Sequence, residues 1–101
     1  MATAQIRVPE GELAEFCRNN GIRKLSLFGS VLTDRFSESS DVDVLVEFDP
    51  ARPTGYFRMA ALERQLSALF GRKVDLRTPE ELSRYFREDV LRMARVEYDG
   101  R

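Results

Sequence analysis

Apolar positions near the start of the chain recur at helical spacing. Leu13, Phe16 and Cys17 fall at i, i+3 and i+4, so Glu10 to Asn20 reads as an amphipathic helix with one apolar stripe. Asn19-Asn20-Gly21 stops it, because Gly21 can take the left-handed conformation that closes a helix. Cys17 lies on the stripe and is expected in the core. Alternation then replaces the helical period: Leu25 and Leu27, flanked by Ile22 and Phe28, mark a strand over Ile22 to Phe28. Gly29-Ser30 ends that strand, Val31 to Phe36 has room for a helical turn or two, and Ser37 to Ser40 is a polar loop without periodicity. The clearest alternation covers Asp41 to Phe48. Val42, Val44, Val46 and Phe48 share one face of this strand, while Asp41, Asp43, Leu45 and Glu47 share the other.

The segment Asp49 to Gly55 is a turn-rich connection, with Pro50 and Pro53 breaking any regular element. Tyr56 to Phe70 predicts a long helix with Met59, Leu62, Leu66, Leu69 and Phe70 on one side and Gly71 as its cap. Lys73 to Arg77 predicts a short strand, with Val74 and Leu76 facing the core and Asp75 pointing away. Thr78-Pro79-Glu80-Glu81 carries the signals of a helix start: Thr78 as cap, Pro79 in the first position, Glu81 completing a capping box. That helix is expected to carry Leu82, Tyr85 and Phe86, to bend around Arg87 to Asp89, and to go on through Val90, Leu91 and Ala94. Arg95 to Tyr98 is either an edge strand or a frayed end. The pairs Tyr56-Phe57 and Tyr85-Phe86 read as core, and any of them found exposed is a candidate contact surface. Strands alternating with helices predict one α/β (α+β) domain over 1–101, a small mixed sheet with helices packed on it.

Composition narrows the chemistry. The chain has 101 residues, enough for one hydrophobic core, with 43 % hydrophobic and 33 % charged residues. It has no histidine, which excludes a catalytic His triad and His-ligated zinc, and the single Cys17 excludes an internal disulfide or a Cys-cluster metal site. Any chemistry must therefore run on carboxylates, hydroxyls, Lys and Arg. Sixteen Lys plus Arg against seventeen Asp plus Glu leave a net charge of -1, so direct nucleic-acid binding is not expected. No apolar run is long enough to span a membrane, and Met1 to Pro9 lacks the basic and apolar stretches of a signal peptide. The cytoplasm is the expected compartment.

Against that background, Asp41 and Asp43 stand out. Period-two alternation puts both carboxylates on one strand face, two residue rises of about 3.3 Å apart. Like charges and burial both raise a carboxylate pKa, a conflict that a divalent cation resolves. Mg²⁺ takes hard oxygen ligands and is commonly held by one or two carboxylates together with substrate phosphates. Asp75 can complete a three-carboxylate cluster if its strand neighbours the first; lying between Lys73 and Arg77, it also fits a salt-bridged surface residue. Gly29-Ser30 precedes Asp41 by ten intervening residues. Gly29 lets a phosphate approach the backbone, and the Ser30 hydroxyl and following amides can donate to its oxygens. A phosphate cradle beside metal-binding carboxylates suggests a nucleoside triphosphate and phosphoryl chemistry, without the Gly-Lys-Ser/Thr ending of a P-loop.

Phe28-Gly29-Ser30, ten residues, and Asp41-Val42-Asp43 followed by Val44-Leu45-Val46 resemble the signature of the polymerase-beta-like nucleotidyltransferases, and more narrowly the minimal nucleotidyltransferase group. The resemblance extends through Gly71-Arg72-Lys73-Val74-Asp75-Leu76 and Pro79-Glu80-Glu81-Leu82. It implies that Asp41, Asp43 and Asp75 ligate Mg²⁺, two ions in the active complex, and that Gly29 and Ser30 hold the triphosphate of ATP. Many members carry Arg and Gly where this chain has Thr33 and Asp34, an added negative charge that the nearby Arg35 could offset toward the phosphates. The implied reaction is attack of an acceptor hydroxyl on the α-phosphorus of ATP with loss of pyrophosphate, Asp75 helping to deprotonate the acceptor. The resemblance also implies an antitoxin role beside a HEPN-domain toxin, and, through members similar to enzymes that adenylylate a tyrosine, a toxin tyrosine as acceptor. An inert antitoxin that neutralises by binding, and transfer to a small-molecule acceptor, are the alternatives.

Overall fold

The computed structural model describes residues 6–52 and 54–100. The start of the Met1 to Pro9 segment, Pro53 in the turn-rich connection and Arg101 lie outside the described residues.

Among the described residues, four strands form one mixed sheet accompanied by three helices. The order along the chain is α1 (Glu10–Asn19), β1 (Ile22–Phe28), β2 (Val42–Phe48), α2 (Tyr56–Phe70), β3 (Val74–Arg77), α3 (Arg87–Met93) and β4 (Arg95–Asp99). Across the sheet the order is β3-β2-β1-β4. β1 runs antiparallel to β2, with Leu25 opposite Val46, Leu27 opposite Val44 and Phe28 opposite Asp43. β3 runs parallel to β2, with Asp43 opposite Asp75 and Val44 opposite Leu76. β4 pairs antiparallel with β1, so Arg95–Asp99 is an edge strand.

One face of the sheet makes the core. Leu25 and Leu27 of β1, Val42, Val44 and Val46 of β2, and Val74 and Leu76 of β3 meet Leu13 and Cys17 of α1 and Leu62, Leu66 and Phe70 of α2 in one buried cluster. These are the positions that period two and period 3.6 select, so pattern and packing agree here. Burial pushes the Cys17 thiol up to about 12, although the nearby Arg18 pulls it down; the group is a neutral apolar filler. Gly21 and Gly71 both take left-handed backbone, at φ 69° and 68°, and let the chain leave α1 and α2 sharply.

β3 is an exposed edge in topology but not in chemistry. Its outward amides are occupied by α2: Val74 N–H donates to Ser67 Oγ at 2.9 Å and Leu76 N–H to Glu63 Oε2 at 2.8 Å. This blunts the edge against pairing with another strand and fixes the height at which Asp75 stands beside Asp43.

Three expectations are corrected. The helix read from Thr78 stops after a 3₁₀ turn at Pro79–Glu81. Glu81 does accept from the Thr78 N–H at 3.1 Å, as a capping box requires. Leu82, however, turns extended and is buried, and the carbonyls of Glu80 and Leu82 accept from Arg87 Nη2 instead of from helical amides. The helix forms instead at Arg87–Met93, where a bend was expected. Similarly, the turn expected over Val31 to Phe36 is a 3₁₀ turn at Gly29–Leu32. Tyr56, Phe57, Tyr85 and Phe86 are all exposed rather than core, Phe57 at 89 %. The α2 stripe that packs begins only at Met59, so the first helical turn overhangs the sheet.

Candidate active site

The carboxylates gather on the face opposite the core. Asp43 and Asp75 stand opposite each other across the parallel pair β2–β3, both half-buried. Asp41 sits just before β2 and is exposed. Burial, then the carboxylates of Asp75 and Asp41, push the Asp43 carboxyl above its ordinary value, against an opposing pull from Arg77. Parallel register thus makes the three-carboxylate neighbourhood that the sequence left conditional on strand order.

Gly29 closes the other side. It follows β1 directly at φ 78°, and a Cβ built there would run into Asp43 Oδ2. Glycine is required twice over, for the left-handed backbone and for the space. Ser30, half-buried, opens the Gly29–Leu32 turn beside it. Thr33 Oγ1 donates to the Ser30 carbonyl at 2.9 Å and accepts from the Arg35 N–H at 3.2 Å, so Thr33 closes the turn. Asp34 and Arg35 are exposed, and Arg35 makes no ion pair with Asp41, Asp43 or Asp75 among the described residues.

The chain's own cations hold two of the three carboxylates. Arg77 Nη2 lies 3.2 Å from Asp75 Oδ2, and Lys73 Nζ lies 3.9 Å from Asp41 Oδ2. In these orientations no group of three His, Cys, Asp or Glu among the described residues is gathered so as to hold a metal ion. The donor set nevertheless fits a hard divalent cation: carboxylate oxygens only, with one carboxyl pushed toward protonation by burial and then by its like-charged neighbours. Both competing pairs reach solvent, and pairs of that kind contribute only about 0–1 kcal/mol each, so releasing them costs little.

Sequence reasoning treated Lys73 and Arg77 only as flanks of Asp75, although period two puts both on its face. Arg72 was missed. Its guanidinium lies 4.4 Å over the Phe36 ring and donates to the carbonyls of Ser37 and Ser40, which anchors the polar loop leading into Asp41. A larger hollow, lined by Arg18, Arg23, Asp49 and Arg52 among others, contains none of these residues.

Comparison with known proteins adds independent observations. The family described as "Nucleotidyltransferase domain" matches residues 11–98. Protein adenylyltransferase MntA of Thermococcus cleftensis is 36 % identical over 72 residues, which is 71 % of each chain. A toxin–antitoxin crystal structure with AMP-PNP superposes at a TM-score of 0.72 with 20 % identity, over 91 % of this chain and 74 % of that one. A tri-AMPylated HEPN toxin of Shewanella oneidensis in complex with its MNT antitoxin gives a TM-score of 0.63 at 21 % identity, over 89 % and 69 %. At these identities the two structures speak for the fold, a small mixed sheet with packed helices. No helix among the described residues is long and apolar enough to cross a membrane.

Proposed function

Because the chain belongs to the nucleotidyltransferase domain family, in its minimal, polymerase-beta-like form, we propose that it transfers AMP from ATP to a hydroxyl of a HEPN-type toxin, a tyrosine in our reading, and so acts as an antitoxin. The observation that carries this reading is the opposition of Asp43 and Asp75 across β2 and β3, with the open backbone of Gly29 against the Asp43 carboxylate. A relative that is a protein adenylyltransferase, and a like-folded antitoxin solved with an AMPylated HEPN toxin, support the substrate and the partner.

Asp41, Asp43 and Asp75 would hold Mg²⁺, two ions in the complete complex, and the metal supplies positive charge against the triphosphate and the charge that develops in the reaction. Gly29 lets the phosphates lie against the backbone, while the Ser30 hydroxyl and the amides that follow donate to their oxygens. Arg35 offsets the charge of Asp34 on the approach to that cradle. Asp75 takes the proton of the acceptor hydroxyl as its oxygen joins the α-phosphorus and pyrophosphate departs. Arg77, released from Asp75, remains beside the developing negative charge. We read residues 1–101 as one domain that carries all of these groups.

The test is transfer from α-phosphate-labelled ATP to a HEPN partner in the presence of Mg²⁺. Wild type labels the partner, and Asp43→Asn lowers the rate about a hundred- to a thousandfold. An unlabelled partner with folded wild-type protein, or full labelling by Asp43→Asn, overturns the reading. The Lys73–Asp41 and Arg77–Asp75 pairs favour one rival, an inert antitoxin whose own cations neutralise the cluster and which acts by covering the toxin.

A further inference from the structure

Two tyrosines stand almost fully in solvent, Tyr56 and Tyr85, each 84 % exposed, and they differ in what lies beside them. Tyr85 sits before α3, 5.5 Å beneath the Arg84 guanidinium, outside the groove that contains Asp75. Tyr56 opens α2 and lines that groove, a space of about 250 Å³ shared with Met59, Glu63, Asp75, Arg77 and Glu81. The third tyrosine, Tyr98, packs on the core. The Tyr56 ring meets Phe57 edge-on with centroids 6.0 Å apart, and its hydroxyl makes no hydrogen bond among the described residues. Phe57 forgoes burial of about 1.5–3 kcal/mol in this position, so packing does not account for the aromatic pair.

We propose that Tyr56 is itself an acceptor, a self-modification site on the rim of the active site. The inference rests on the nucleotidyl-transfer reading above. The Tyr56 phenolic oxygen forms a bond to the α-phosphorus of ATP, the bond from that phosphorus to the oxygen bridging to the β-phosphate breaks, and pyrophosphate leaves. The phenolic proton passes to Asp75 and on to water. The product is an adenylylated Tyr56 and pyrophosphate. Three observations meet at this residue: a phenol in solvent, no hydrogen-bond partner to hold it elsewhere, and a groove wall shared with Asp75. Tyr85 has the same chemistry and the same exposure without the groove, which makes it the internal control. An adenylyl group on Tyr56 would also occupy the groove that leads to Asp75, so self-modification would slow transfer to any acceptor entering there.

The experiment is the intact mass of the purified chain after incubation with ATP and Mg²⁺, without a partner, followed by peptide mapping. The expected result is a gain of one adenylyl group on Tyr56, absent from Tyr56→Phe and Asp43→Asn and retained in Tyr85→Phe. A gain that persists in Tyr56→Phe, or one that maps to Tyr85, overturns the inference. So does an unchanged mass in a preparation that labels a HEPN partner, in which case the transfer reading survives alone. If neither the chain nor the partner is labelled, both readings fall. At its exposure Tyr56→Phe removes only the hydroxyl, so loss of folding does not confuse the outcome.

Discussion

On β2, Val42, Val44 and Val46 point toward α1 and α2 and are fully buried, while Asp43 and Glu47, one residue out of phase, look to the opposite face and stay half-buried. That second face holds Leu45 and Ser26, also buried; Leu82, the extended residue after the 3₁₀ turn, is buried outside the main cluster. Apolar burial on one side supplies the stability; the other side is then free to hold side chains that a core would reject. A strand with both faces packed could not keep Asp43 and Asp75 opposite each other, because neither carboxylate would stay ionised.

The sharpest way to break this division is to damage each face in turn. Leu25→Ala, on the core face, is expected to cost about 2–5 kcal/mol in denaturant unfolding, a large part of the roughly 5–15 kcal/mol available to a domain. A loss under about 1 kcal/mol would mean that this face does not carry the fold. Gly29→Ala touches the other face. The left-handed backbone costs about 1–2 kcal/mol, and the new methyl displaces the Asp43 carboxylate, so transfer falls further than stability. Normal transfer by a folded Gly29→Ala protein would disconnect Gly29 from the site.

The smallest effect has the opposite sign. Asp43 titrates above its ordinary 3.8 in the folded chain, so the fold favours its protonated form. That contribution is fully present below pH 3.8 and is lost as pH rises through the folded value. Asp43→Asn should therefore melt at or slightly above wild type at pH 7 without added divalent cation, with the difference closing in acid, although its transfer rate falls. A variant that melts lower at pH 7 would show Asp43 to be a structural residue.

Much of this was legible along the chain. Cys17 and the Val42/Val44/Val46 stripe were identified by spacing alone, because burial on one face imposes a period that nothing else imitates. Gly29-Ser30 and Asp41-Val42-Asp43 were legible because their chemistry is local. The helix at Thr78 misled because its start signals are real, but Leu82 is drawn into a buried position and Arg87 satisfies the carbonyls left behind. Local propensity is a weak prior where tertiary burial competes with it. The aromatic pairs misled for a related reason: residue type predicts a preference for burial, not whether an element's first turn reaches the sheet.

By itself the sequence determined α1, α2 and the first three strands, the apolar face of each, and the carboxylate pair at the head of β2, since these follow from periods of two and 3.6 and from residue chemistry. Only the tertiary structure decided that β3 lies parallel beside β2, that Asp75 therefore faces Asp43, that Lys73 and Arg77 occupy two of the carboxylates, and that Tyr56 rather than Tyr85 shares a groove with the site. Strand order depends on contacts between residues far apart in the chain, whereas the local pattern encodes only which face each strand buries.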